Sequence, residues 1–225
     1  MLFLAFLIDF SSFSFAFLLA FLNVSTDPGA AVTSAFRITN QNNFREYLEV
    51  KVAKFTANYA GESPIIADLT ANDEFGNWIS FSEKQFMVDP NETKTIKFTI
   101  NPPKSASLGY YYALIISRIT ENNQPEHVST VVHASPAIPV LLEVRTPNAK
   151  RELQLLDFST DQYIYEYPPV TFRVKLKNTG NIHVVPSGDI FVDWGKDRDV
   201  GLVHANEGRG NILPQTERTY HSLLI

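Results

Sequence analysis

Five histidines, His127, His133, His183, His204 and His221, are the side chains best suited to proton transfer or metal binding near neutral pH. None pairs with another at the spacing of a helical zinc motif such as H-E-x-x-H. The chain has no cysteine, so neither a zinc site nor a thiol nucleophile is expected. Asp193, Asp197 and Asp199 gather around Trp194-Gly195, but their spacing differs from that of the D-x-[DN]-x-[DN]-G calcium loop. Lys196 and Arg198 also put cations among the carboxylates, so the segment reads as a solvated hairpin tip. No serine lies in a G-x-S-x-G elbow, and no acidic pair stands out as a glycosidase pair. No catalytic residue, cofactor or metal is expected. Tyr110, Tyr111 and Tyr112 remain as candidates for stacking on a ligand. Strand alternation places Tyr110 and Tyr112 on one face and Tyr111 on the other, so at least one is core, and packing is the preferred reading. Trp78 reads as an anchor between sheets.

The elements around these residues are short strands. Lys175 to Ile190 reads KLKNTGNIHVVPSGDI: Val174, Leu176 and Val184 supply apolar faces, and Asn178-Thr179-Gly180-Asn181 supplies a break. Glycine tolerates positive φ and asparagine visits the left-handed region, so this tetrad can reverse an extended chain. Pro186, Ser187 and Gly188 end the next run. His183 is expected to orient the turn by hydrogen bonds.

Composition agrees. The chain has 225 residues, 44% of them hydrophobic, with 17 Phe, 9 Tyr, 13 Pro and 10 Gly. That is enough apolar material for a packed core and enough punctuation for an all-β chain. Charged residues are 19% and the net charge is −5, so no basic surplus exists to neutralise phosphates, and nucleic acid is not an expected partner.

Alternating apolar positions predict strands at Val32–Thr39, Glu46–Phe55, Thr93–Ile100, Val128–Ala134 and Ala137–Arg145, with short ones at Trp78–Phe81 and Gln85–Val88. Gly61 to Pro64 closes the second of these, and Ala71 to Trp78 reads as a loop with a tight turn at Gly76-Asn77. The apolar run Tyr110–Ile119 suits a central strand buried on both faces. Thr146 to Lys150 has no periodicity and serves as a linker. Strands then restart at Glu152–Phe158, Val170–Lys177, His183–Val185, Asp189–Trp194 and Thr216–Leu223. The expectation is two tandem immunoglobulin-like β-sandwiches, residues 23–146 and 150–225. Only five strands fit the second, against seven in a full sandwich, so it is expected to be incomplete at its C-terminal end. Residues 1–22 carry one charge, Asp9, and no Lys or Arg precedes Arg37. The positive start of a signal peptide is missing, and Asp9 with three serines weakens a membrane span. An atypical export segment is the preferred reading, and a first strand from Ser14 to Val24 the other.

Two stretches together resemble a family. The first is Trp78-Ile79-Ser80-Phe81, then Phe86 to Ile96, then Pro102 to Tyr111. The second is Asn178 to Ile190, followed by Asn206 and Ile212-Leu213-Pro214-Gln215-Thr216-Glu217-Arg218. They are similar to the turn and strand patterns of the WxL-interacting proteins of Gram-positive bacteria. The resemblance implies an extracytoplasmic, non-catalytic protein of adhesion or envelope assembly. Its partners would be peptidoglycan and surface proteins, with a membrane anchor in the full-length product. Accessory domains of a wall-active enzyme, or an assembly chaperone that donates a strand, are the alternatives. Asn178, Gly180, Asn181, His183, Pro186, Gly188, Pro214 and Arg218 are expected to shape turns rather than bind a ligand.

Overall fold

A computed structural model describes residues 6–10, 13–17, 22–56, 65–119 and 135–225. Gly61 to Pro64, the strand expected at Val128–Ala134, and His127 and His133 lie outside the described residues. The fold is all-β, and the chain divides into two compact units: Met1–Thr56 with Ile66–Thr146, and Ala57–Ile65 with Pro147–Ile225. Among the described residues no helix is long and apolar enough to cross a membrane.

The first unit contains β1 (Phe6–Phe10), β2 (Phe13–Phe17), β3 (Leu22–Thr26), β4 (Val32–Asn40), β5 (Glu46–Thr56) and β6 (Ile65–Asp68). It continues through α1 (Phe75–Trp78), β7 (Ile79–Phe81), β8 (Gln85–Val88), β9 (Thr93–Ile100), β10 (Leu108–Arg118) and β11 (Ala137–Val144). One sheet runs β1-β2-β4-β9-β7. The other runs β3-β11-β10-β5-β6, with β8 also paired to β5. Two stretches of the N-terminal 22 residues are thus strands, with β2 paired to β4. Alternate residues along β4, β9, β10 and β11 close the core: Phe36 and Ile38, Ile96, Phe98 and Ile100, Leu114 and Ile116, Val140 and Leu142. Glu46 is buried at the start of β5, where Arg118 at the end of β10 donates to it from Nε at 2.8 Å and Asn42 donates from Nδ2 at 2.9 Å. A carboxylate so enclosed is tolerable because both its oxygens accept, one of them twice, and the Arg118 guanidinium answers its charge.

The second unit contains β12 (Leu153–Thr160), β13 (Val170–Asn178), β14 (Asp189–Trp194), β15 (Asp197–His204) and β16 (Glu217–Leu224). They form a three-stranded sheet, β12-β13-β16, and a hairpin, β14-β15. Val170, Phe172, Val174, Ile190, Val203, Ile212 and Tyr220 make its core.

The two units repeat one device. β4 and β13 each end in an asparagine with no exposed surface, Asn40 and Asn178. Asn178 Nδ2 donates to the carbonyls of Ile182 at 2.7 Å and Ile212 at 3.0 Å, and its Oδ1 accepts from Gly180 N at 2.9 Å. Asn40 does the same with Phe44 O, Val88 O and Asn42 N, at 2.8, 3.0 and 3.0 Å. The backbone N–H and C=O of each then bond a turn whose third residue is left-handed, Asn91 at φ 60° and Gln215 at φ 61°. From that turn β9 and β16 return antiparallel in equivalent registers, Thr39↔Thr93 to Val32↔Ile100 and Lys177↔Glu217 to Val170↔Leu224.

Several expectations need correction. Phe75 to Trp78 is one helical turn rather than a loop, because Phe75 is drawn inward to stack on Tyr112 at 3.8 Å. His183–Val185 is no strand: Val184 makes a single bridge to Ile212, and Pro186 has no N–H to extend a ladder. Asp197–His204 is a strand that the residue pattern hid, since Val200 and Leu202 face outward and Gly201 interrupts the run. The turn at Asn178–Asn181 does not use the left-handed region. Gly180 is required instead by close approach, since a Cβ there would lie 2.2 Å from the Lys150 carbonyl oxygen.

Asn178→Ala strips two carbonyls and one N–H of partners inside a closed core, which costs about 2–4 kcal/mol. Urea unfolding of the full chain should show the second unit destabilised by that amount, and an unchanged midpoint would refute the assignment.

Candidate binding surfaces

Residues opposite each other in an antiparallel pair share a face of the sheet. On the core side of β13 stand Val170, Phe172, Val174 and Leu176, and β16 places Leu224, Ser222 and Tyr220 beside them. β12 places Leu153 beside Asn178, Leu155 beside Leu176 and Phe158 beside Val174. A bulge at Leu156 resets the alternation, and without it Asp157 rather than Phe158 would face inward. The β14-β15 hairpin covers the β13 and β16 columns through Ile190 and Val203. It leaves the β12 column open: Leu153, Leu155 and Phe158 are 40%, 57% and 53% exposed. Phe158 rests its ring parallel on Phe172, centroids 6.2 Å apart. β12 is also the last strand of its sheet, so its outer row of N–H and C=O groups is unpaired among the described residues. An apolar column beside an unpaired edge has the shape of a slot for one more extended segment.

The tyrosine run does not form one platform. Tyr110 meets Trp78 edge-on at 4.8 Å, and its hydroxyl accepts from Ser107 N at 3.2 Å. Tyr112 is buried on Phe75, and burial, with Asp73 and Tyr110 nearby, pushes its phenol up to about 12. Tyr111 lies on the opposite face, its hydroxyl over Gly109.

The turn-block residues separate into two clusters. Asn178, Gly180 and Asn181 form the first with Gln215, the residue after Pro214. Gln215 Nε2 donates to the carbonyls of Thr179 and Gly180 at 3.2 and 3.1 Å. Asn181 Oδ1 accepts from Lys150 N at 2.7 Å and its Nδ2 donates to Asn148 O at 2.9 Å, which fastens the segment expected to be a linker onto the second unit. His183 is half-buried just beyond. Pro186 and Gly188 belong to the second cluster, a cavity of about 470 Å³ lined also by Val185, Ser187, His204, Asn206, Glu207 and Arg209. Asn206 Nδ2 holds its wall by donating to Pro186 O at 2.9 Å and Gly210 O at 3.1 Å. Arg218 donates to Asn211 O at 3.0 Å and lies over the Tyr220 ring, whose hydroxyl donates to Gly210 O. Burial pushes that phenol up to about 12.

Asp193 is bound by the Arg198 guanidinium. Among the described residues no group of three or more His, Asp or Glu side chains is placed to hold a metal ion. The exposed column on β12 was missed at the level of sequence. The L-x-L alternation of β12 was readable, but nothing local marks which alternating face goes uncovered.

No protein-family model matches the chain, and no curated protein matches it. Among solved structures it is similar to the CsuC–CsuE chaperone–tip adhesion subunit complex of Acinetobacter baumannii, with TM-score 0.45, 15% identity, and coverage of 92% of this chain and 86% of that one. It is likewise similar to the E. coli chaperone DraB (0.43, 13%, 92% and 86%). The Salmonella enterica SafA pilin–SafB chaperone complex gives 0.46, 10%, 92% and 83%. These findings overturn the kinship to WxL-interacting proteins: the shared pattern was one of turns and core positions, which unrelated β-sandwiches also need. Likeness this distant carries no function.

Because Leu155 and Phe158 keep half their surface in water, Leu155→Thr and Phe158→Thr should each cost under about 1 kcal/mol, whereas Phe172→Ala should cost about 3–5. Chemical denaturation separates the cases. Equal losses at all three positions would mean that the β12 column is covered in solution.

Proposed function

We propose that the chain is a non-catalytic, extracytoplasmic binding protein that holds a surface-protein subunit during its assembly. The observation that carries this reading is the apolar column of Leu153, Leu155 and Phe158 on the core side of a sheet whose edge is unpaired among the described residues. Such a surface suits a partner that offers an extended segment, because edge hydrogen bonds and alternating apolar side chains are satisfied together. Each half-exposed side chain returns about 1 kcal/mol when its remaining apolar area is covered, which favours reversible holding over permanent assembly. The units are read as tandem immunoglobulin-like sandwiches, residues 23–146 and 150–225. Peptidoglycan docking and a membrane anchor lose their basis with the family resemblance that implied them. The chain catalyses no reaction in this reading.

The test is site-specific photo-crosslinking of the full chain in its source cells. A crosslinking side chain at position 155 is expected to trap one extracytoplasmic β-rich protein. The same group at position 219, on the opposite side of the sheet, is expected to trap none. Equal trapping at both positions, or release of soluble fragments from purified cell wall by the chain alone, overturns the proposal.

A further inference from the structure

The cavity beside the Pro186–Gly188 turn gathers charged and polar side chains around one left-handed residue. Arg209 sits at φ 48°, a left-handed conformation that costs a non-glycine residue about 1–3 kcal/mol and persists only where neighbours enforce it. The enforcement is visible. Asn206 Oδ1 accepts from Gly210 N at 2.8 Å, its Nδ2 donates to Gly210 O, and Arg209 N donates to Asn206 O at 3.1 Å. Gly208 and Gly210 flank Arg209 and would adopt such a backbone without strain, so this segment carries the strain at the one residue of the three with a cationic side chain. Among the described residues the Arg209 guanidinium has no ion-pair partner. On the same cavity, His204 is oriented through Nδ1, 2.5 Å from Asp189 Oδ1, which leaves Nε2 uncommitted. Ser187 adds a hydroxyl, Glu207 a single carboxylate, and Val185 with Pro186 an apolar wall.

We infer that this cavity binds a small carboxylate that carries a hydrogen-bond donor close to its carboxyl group. Arg209 receives the carboxylate in the two-pronged geometry a guanidinium favours, with the Ser187 hydroxyl as a further donor; with Nδ1–H given to Asp189, His204 Nε2 of the neutral ring accepts from the ligand's donor group. Glu207 accepts from the donor and so discriminates against a bare anion, which it repels. A volume of about 470 Å³ lies within the range of small-molecule sites and leaves room around a single sugar ring or amino acid. Two sources offer this chemistry, an acidic sugar and an α-amino acid, and separate probes distinguish them.

The experiment titrates the ¹⁵N-labelled full chain with sodium glucuronate, glycine, acetate and methyl glucoside. Saturable amide shifts confined to residues 185–188 and 204–210 are expected with glucuronate or glycine, and whichever of the two gives them names the source. Acetate is expected to bind at least tenfold more weakly, and methyl glucoside not at all. Arg209→Gly is expected to abolish binding while raising the unfolding temperature, because it relieves the strain along with removing the cation. Glu207→Gln is expected to keep binding and lose the preference over acetate, and it serves independently should the glycine variant rearrange the loop. No saturable shift with either probe, acetate binding as tight as both, or an Arg209→Gly protein that binds unchanged overturns the inference.

Discussion

A single carboxamide decides where each principal strand stops. Asn178 is fully buried at the end of β13, and its three side-chain bonds reach the turn that follows and the segment that leads into β16. Its own N–H and C=O bond the turn before β16, so five polar contacts converge on one residue. That convergence pins the register of β13 against β16. A slip of one residue would send Val170, Phe172 and Val174 to the solvent side and Arg173 and Lys175 to the core. Asn40 imposes the same constraint on β4 and β9, and with it the inward set Phe36, Ile38, Ile96 and Phe98. An aspartate in either place would set a negative charge against two carbonyl oxygens, and a leucine would leave three backbone groups unpaired. Asparagine offers donors and an acceptor on one short side chain, which is what the corner requires.

With the registers set, the units differ in how far the core side is covered. In the first, β10 and β11 bring Tyr112, Leu114, Ile116, Ile138, Val140, Leu142 and Val144 over β4 and β9, and the central side chains lose nearly all contact with water. In the second, the β14-β15 hairpin, with Ile212 and Tyr165, closes the core over the β13 and β16 columns and leaves the β12 column exposed. The β12 column keeps the residue types of a core without the environment of one. Its bulge makes the point sharper, since the extra residue at Leu156 serves to bring Phe158 to the apolar side. A surface strand would gain nothing from that adjustment.

Strands with strict alternation were legible at the level of sequence: Thr93–Ile100 and Asp189–Trp194 fall where the pattern places them. The failures have distinct causes. α1 depends on the stacking of Phe75 on Tyr112, a contact between residues far apart in the chain, so no local pattern announces it. β15 turns Val200 and Leu202 to the solvent, which makes its alternation look weak. At Gly180 the residue type was informative and the cause was misread, because a steric approach from Lys150 leaves no mark on the turn's own residues. For the candidate surfaces the obstacle is more general. Alternation tells which side of a strand is apolar, but whether that side is covered depends on elements elsewhere, and a partly covered side reads as an ordinary core.

Asn206 shows how the same chemistry serves two ends. Like Asn40 and Asn178, it bonds backbone donors and acceptors on two segments and holds a tight turn together. At Asn40 and Asn178 the turn so held faces the core, and the gain is the register. At Asn206 the turn lines an open cavity, and what it holds is Arg209 in a conformation that the flanking glycines would take without cost. Asn91 and Gln215 hold the same kind of backbone in turns that set a register, whereas Arg209 holds it on the lining of an open cavity and brings a charge there. Strain kept in place by a dedicated network, at a residue whose charge has no ion-pair partner among the described residues, is the combination expected where the charge meets a ligand from outside.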